Sequence, residues 1–204
     1  MIPALICALL LAQATQIESA DEHHRLGEEQ FKLGHIKESI AEFDRAIAID
    51  RRRAARAWQR GIALYYAGRY EDGRKQFELD QALNPNDVEE AIWRYLCMAR
   101  SSGILAAREA LTPVKNDNRI PMMEIYELYQ GIGSVKRVMA AVGTTTSPQV
   151  LNERLFYAYL YIGLYYEAAG DKKQSRENIG RALEHIVNDY MGDVARVHAL
   201  LRLS

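Results

Sequence analysis

The sequence predicts an all-α chain built from pairs of antiparallel helices, and three observations carry that prediction. Glycines recur seven residues apart, at Gly27 and Gly34, Gly61 and Gly68, and Gly163 and Gly170, with 34 residues between the first two pairs. The apolar residues around them recur every three or four positions, the stripe of an amphipathic helix rather than the alternation of a strand. Only five prolines interrupt the 204 residues, so long helical stretches remain open to the chain.

The N-terminus reads as a leader. Residues 2–12 are an apolar run of signal-peptide length, far short of the roughly 20 residues that span a bilayer. Ala12-Gln13-Ala14 offers the small-x-small pattern for cleavage after Ala14, although no Lys or Arg precedes the run. Residues 1–14 are therefore expected to be a signal peptide and residues 15–204 a single helical domain. The alternative is a hydrophobic first helix or a mis-assigned start. Cys7 is not preceded by a lipobox, so lipidation is not expected. With Cys7 removed, Cys97 is the one thiol left and no intrachain disulfide can form.

The helices follow in order. Residues 17–33 carry Leu26, Gly27, Gln30 and Phe31, and Gly34 stops them. Residues 36–49 place Ile40, Phe43, Ala46 and Ile47 on one stripe. Arg51, Arg52, Arg53, Arg56 and Arg60 then form a basic run. It reads as a solvated turn whose cations complement a helix C-terminus, with an anionic partner as the alternative. Residues 60–87 show the hairpin most clearly. Gly61, Leu64 and Tyr65 share a face, Gly68 takes the turn, Gly73, Phe77 and Leu83 follow on the second helix, and Asn84-Pro85 ends it. Asp80 falls on the stripe of Gly73 and Phe77, where a carboxylate needs a partner; Arg60 and Arg94 are the expected ones.

Asp87 caps a helix over residues 88–100 with Ala91, Ile92, Trp93, Leu96 and Cys97. Its partner, residues 104–111, is short. Residues 112–121, bracketed by Pro113 and Pro121, form a linker. Residues 122–130 and 134–142 make another hairpin around Gly131 and Gly133, and Ser147-Pro148 opens the next helix. Residues 151–169 are the most aromatic segment, with Phe156, Tyr157, Tyr159, Tyr161, Tyr165 and Tyr166. Their spread over more than one face predicts burial on several sides or contact with a second chain. Ile179, Ala182 and Leu183 mark its partner helix, and residues 194–203 close the array.

No catalytic constellation appears. Lys and Arg total 26 against 27 Asp and Glu, which argues against a chain built to bind nucleic acid. His23, His24, His35, His185 and His198 lack metal-ligand spacing, since adjacent residues on a helix point about a hundred degrees apart. There is no Gly-rich phosphate loop, no H-E-x-x-H and no G-x-S-x-G. Cys97 has no histidine nearby in sequence and reads as core, with Trp93 one turn before it. Neither a catalytic residue, nor a cofactor, nor a metal is expected.

The glycine pair, the Tyr70 and Phe77 positions and the terminal Pro85 resemble the tetratricopeptide repeat (TPR), a 34-residue helix–turn–helix unit. Ser39 departs from its usual alanine and Arg51 from its proline. Residues 20–203, with GIALYYAGR, the Asn-Pro-Asn-Asp stop and FYAYLYIGLYYEAAGD, are similar in order to the new lipoprotein I family of bacterial-envelope TPR proteins. The resemblance implies a TPR-like α-solenoid with a C-terminal capping helix, acting as a dimeric, non-catalytic adaptor. Its partners would be other proteins, such as envelope proteases and murein hydrolases, in a secreted or periplasmic location. The aromatic segment independently predicts a homodimer. Carried over from the repeat, the residues facing a peptide groove are Phe31, Trp58, Ile62, Tyr65, Tyr66, Tyr157, Leu160 and Leu164; core or dimer interface is their other reading. Trp58 and Ile62 stand where chaperone-binding repeats place a carboxylate clamp, which argues against that role. A non-secreted scaffold of an intracellular complex is the alternative function, and an envelope hydrolase is a third without a motif behind it.

Overall fold

Among the described residues, every regular element in the computed structural model is helical. The structure describes residues 19–143, 145 and 147–203; the leader expected at residues 1–14, with Cys7, lies outside them. Among the described residues the order is α1 (Ala20–Lys32), α2 (Ile36–Ile49), a 3-10 turn (Arg51–Arg56), α3 (Trp58–Tyr66), α4 (Tyr70–Leu83), α5 (Val88–Ser102), α6 (Ile104–Glu109), α7 (Met122–Gln130), α8 (Val135–Val142), α9 (Pro148–Ala168), α10 (Lys172–Glu184) and α11 (Tyr190–Arg202). None of these helices is long and apolar enough to cross a membrane.

Local chemistry sets the helix ends. Ser19, Asp87, Ser134, Ser147, Asp171 and Asp189 each accept a backbone N–H of the first turn that follows, satisfying donors the helix itself leaves open. Gly34, Gly68 and Gly170 take φ of 77°, 74° and 78° after α1, α3 and α9, a left-handed geometry that a side chain resists.

The hairpins close by a repeated contact. A Cβ on Gly27 would stand 2.7 Å from the Phe43 ring, one on Gly61 2.7 Å from the Phe77 ring, and one on Gly163 2.7 Å from Ile179 Cδ1. In each case the bulky residue lies 16 positions after the glycine. The missing side chain is what lets one helix receive the ring or branched chain of its partner. Ser39, the departure from alanine, is fully buried and donates from Oγ to the Gly27 carbonyl at 2.7 Å.

Consecutive helices pack on one another except across the linker between α6 and α7, where α7 packs on α5 instead, and α11 packs both on α10 and on α1. The last helix thus does more than cap its neighbour: it returns to the first. Tyr190 stacks on Phe31 with centroids 5.2 Å apart and meets Trp58 edge-on at 5.2 Å, while Lys32 pairs with Asp193 at 3.5 Å. The aromatic helix α9 is covered within the chain by α10, α8, α7 and α5. Phe156, Leu160, Tyr161, Ile162 and Leu164 are each fully buried. Tyr157, Tyr159, Tyr165 and Tyr166 on the same helix stay half-buried.

Candidate functional site

Six of the eight residues expected to line a groove are core. Phe31, Ile62, Tyr65, Leu160 and Leu164 have no exposure and Tyr66 is 8% exposed. The cause is long-range. The Tyr65 hydroxyl donates to Glu167 on α9 at 2.6 Å, and the Tyr66 hydroxyl lies 3.1 Å from His198 Nδ1 on α11. The face that would be concave and open is filled by α9 and α11. Trp58 and Tyr157 alone among the eight are half-buried, and they border different clefts. Tyr157 lines a depression with Ile120 and Met122 and donates to Asp189 at 3.2 Å.

Trp58 stands at a cleft between the first residues of α3 and the facing turns of α4 and α5. The inner lobe, about 200 Å³, is bounded by Trp58, Phe77, Trp93, Glu89, Glu90 and Met191, with Asp87 and Arg119 at its edge. A second lobe of about 370 Å³ shares Trp58 and Glu90 as a wall and adds Asp80, Asn84 and Arg56. Both tryptophans of the chain therefore border one cleft.

Its electrostatics are unbalanced. Arg119 is consumed by Asp87 at 2.9 Å, Glu89 at 2.6 Å and Asp117 at 2.6 Å. The other oxygen of Glu89 accepts the Tyr161 hydroxyl. Asp80 is 2% exposed; its Oδ2 accepts from the Gln76 amide at 3.2 Å, but Oδ1 has no partner. Here the expected clasp fails. Arg60 turns to Asp44 at 2.6 Å and to Gln76, and Arg94 turns to Glu78 at 2.9 Å, because each finds a more accessible acceptor within reach. Glu90 Oε2 is likewise buried without a partner, and so is Trp93 Nε1. Burial pushes Glu90 up to about 8, with the charges of Asp87, Asp80 and Glu89 acting in the same direction. Burial also raises Asp80 to about 6 and Glu89 to about 7, the latter against the pull of Arg119. The helical stripe singles out Asp80 and the repeat's groove positions single out Trp58; Trp93 reads from the sequence as core, and Glu90 is not singled out because a Glu-Glu opening is an ordinary feature of a helix.

The basic run is a 3-10 turn. Arg52 pairs with Asp50 at 2.9 Å and Arg53 with Asp21, which ties the turn to the start of α1. Together with His24, Phe43 and Ala57 these arginines border a shallow surface depression.

A further basin holds Ser175 and His198 beside Glu167, rimmed by Arg100, Lys172, Arg176 and Arg202. Burial drives His198 down to about 4, so at neutral pH it is an uncharged and weak base, poorly suited to activating a serine. Cys97 is buried, and burial raises its thiol far above the range where a thiolate forms. Among the described residues no three His, Cys, Asp or Glu side chains are grouped to hold a metal ion.

The His198 environment carries a pH signature. Its folded-state value lies below its ordinary 6.5, so the unfolded chain takes up the proton first as the solution is acidified. The stability it contributes is full above pH 6.5 and is lost as pH falls from there toward 4, by about 3 kcal/mol. Urea unfolding at pH 7 and pH 4.5 should show this as a difference between wild type and His198→Gln, with the variant losing less on acidification. Equal losses in both would place the titration elsewhere. No family model matches the chain.

Proposed function

We propose that this chain is a TPR-like helical scaffold that binds other proteins and carries out no chemistry of its own. The observation that supports the reading most is the triple recurrence of a glycine facing Phe43, Phe77 or Ile179 across a hairpin closed by a left-handed glycine. Stacked hairpins of this kind bury one face of each unit against the next and leave extended surfaces for partners. The resemblance to the new lipoprotein I family sets the partners as envelope proteases and murein hydrolases, the location as the periplasm, and the working form as a homodimer. The groove that such repeats often use is not the binding surface in this reading, because α9 and α11 fill it; the Trp58 cleft is one of the surfaces that stay open.

The test is reconstitution. The purified chain, mixed with an envelope protease and a murein hydrolase, should form a complex holding both, read by light scattering, which also reports the mass of the chain alone. Both enzymes' activities should need the chain only for their encounter. Hydrolysis of murein or casein by the chain on its own would overturn the proposal, as would the absence of any complex with either enzyme class.

A further inference from the structure

We propose that the cleft between Trp58 and Trp93 binds an organic cation, the guanidinium or ammonium of an arginine or lysine side chain presented by a partner peptide. Presentation by a partner rests on the scaffold reading; the cation site does not.

The unmet groups of the cleft define what is missing. Asp80 Oδ1 and Glu90 Oε2 are buried acceptors without a donor, and Trp93 Nε1 is a buried donor without an acceptor. Buried polar groups are ordinarily paired, so each such vacancy asks for a complement. Two carboxylate oxygens lacking donors call for a group that brings several N–H bonds and a positive charge. The walls carry Asp80, Asp87, Glu89 and Glu90 against Arg56 and Arg119. Arg119 is already engaged by Asp87, Glu89 and Asp117. Asp87 and Glu89 share the charge of Arg119, so Asp80 and Glu90 are the carboxyls left without a cation, and the field inside turns negative as these two ionise. Trp58 and Trp93 border the same cleft, and an aromatic lining is compatible with an organic cation.

Size and chemistry narrow the ligand. The inner lobe of about 200 Å³ has room for a single side chain, whose polar end can reach Glu90 on the wall shared with the lobe that holds Asp80. Among the described residues the carboxylates are not grouped as metal ligands, and a cleft lined by Trp58, Phe77, Trp93 and Met191 favours an organic cation over a hydrated ion. Trp93 Nε1 wants an acceptor, and a peptide that inserts a basic side chain also brings backbone carbonyls. That favours a peptide over a free amine. The unpaired buried carboxyl oxygens of Asp80 and Glu90 carry a desolvation cost that a donor would relieve. Glu90 faces Asp80 across the cleft, Asp87 and Glu89 along its own helix, Arg119 from the linker and Arg56 at the rim. Its carboxyl is held up at about 8 and that of Asp80 at about 6. A bound cation would lower both, so binding between pH 6 and pH 8 releases protons, mostly from Glu90, and strengthens as pH rises.

The experiment uses the intact chain and its own two tryptophans as reporters, because both border the cleft. Tryptophan emission is titrated with a short peptide carrying one arginine, the same peptide with citrulline in its place, and N-acetylarginine amide. The arginine peptide should give a saturable change. The neutral citrulline peptide should bind about tenfold more weakly or worse, the scale of a lost charge-assisted hydrogen bond. Binding of the arginine peptide should weaken by about tenfold or more between pH 8 and pH 6, as linkage to Glu90 requires. Glu90→Gln should lose binding to a similar degree and yet melt higher than wild type at pH 8, since it removes an unpaired buried carboxyl. That rise separates loss of the site from loss of the fold. Asp80→Asn provides a second variant that should lose affinity, and Glu38→Gln, on the exposed face of α2, should leave it unchanged. Equal binding of arginine and citrulline peptides would overturn the proposal, and so would no emission change with any of the three ligands. N-acetylarginine amide binding as tightly as the peptide would overturn the peptide assignment. A complex with protease and hydrolase that survives Glu90→Gln would sink this inference and leave the scaffold standing. Arginine binding without such a complex would do the reverse.

Discussion

Tyr65→Ala is expected to lower stability by about 3–5 kcal/mol, the range for removing a large aromatic from a packed interior. For a chain of this size that corresponds to a fall in melting temperature of roughly 6–20 °C. Tyr65 has no exposed surface. Its ring meets Trp93 edge-on at 5.4 Å, Tyr66 at 5.4 Å and Tyr70 at 5.6 Å, so truncation leaves a cavity with rigid aromatic walls that cannot collapse into it. The hydroxyl adds a second loss, because Glu167 accepts it at 2.6 Å. Tyr65→Phe isolates that part and should cost about 1.5–3 kcal/mol, the scale of a hydrogen bond to a charged group. Part of this is offset by Arg202, which lies 3.7 Å from the other oxygen of Glu167. As a groove anchor Tyr65 would instead lose partner binding with its melting temperature intact. Chemical denaturation of the two variants decides between these, and an unchanged midpoint for Tyr65→Ala would remove Tyr65 from the core.

Gly61→Leu should be as damaging for the opposite reason. A Cβ there would lie 2.7 Å, 2.9 Å and 3.0 Å from three atoms of the Phe77 ring, closer than van der Waals contact allows. Phe77 cannot step aside: it is 1% exposed and lies stacked against Trp93 with centroids 6.4 Å apart. Overpacking of this kind costs about 1–3 kcal/mol for the first extra atoms and more for a branched chain, so several kcal/mol are expected for leucine. Gly61→Ala should be intermediate. Pairing it with Phe77→Leu should recover part of the loss, because the two residues occupy the same space and their effects are not additive. Gly180→Ala supplies the control. Nothing lies within 4 Å of a Cβ at Gly180, which is exposed on α10, so this change should stabilise by about 0.5–1 kcal/mol through helix propensity. Wild-type melting of Gly61→Leu would mean that α3 and α4 do not cross where the structure has them.

The helix boundaries were legible because the signals that set them are local. The segments expected over residues 36–49 and 122–130 match α2 and α7. The glycine stops at Gly34, Gly68 and Gly170 fall where the left-handed turns are. The caps at Asp87 and Ser147 were also readable, and each depends on a hydrogen bond spanning two or three residues. Asp80 shows where such reading ends. Its stripe position announced a buried carboxylate, but the choice among Arg60, Arg94 and Gln76 as partner was a competition with Asp44 and Glu78 that the sequence does not rank.

What the sequence determined by itself is the all-helical character, the hairpin unit and the close approach of its helices at a small residue such as Gly61, since these follow from propensity, capping and the recurring glycine pair. That Gly27, Gly61 and Gly163 each receive the bulky residue 16 positions later is what the packed structure adds. What only the tertiary structure decided is which apolar faces stay open. Tyr65 meets Glu167 across 102 residues and Tyr66 meets His198 across 132, so the groove positions become core only once α9 and α11 have docked. The same docking leaves Trp58, Trp93, Asp80 and Glu90 around a cleft with unpaired oxygens. Periodicity states that a face is buried but is silent on what covers it. The covering depends on how far each hairpin rotates against the last, and that rotation accumulates from packing along the whole chain.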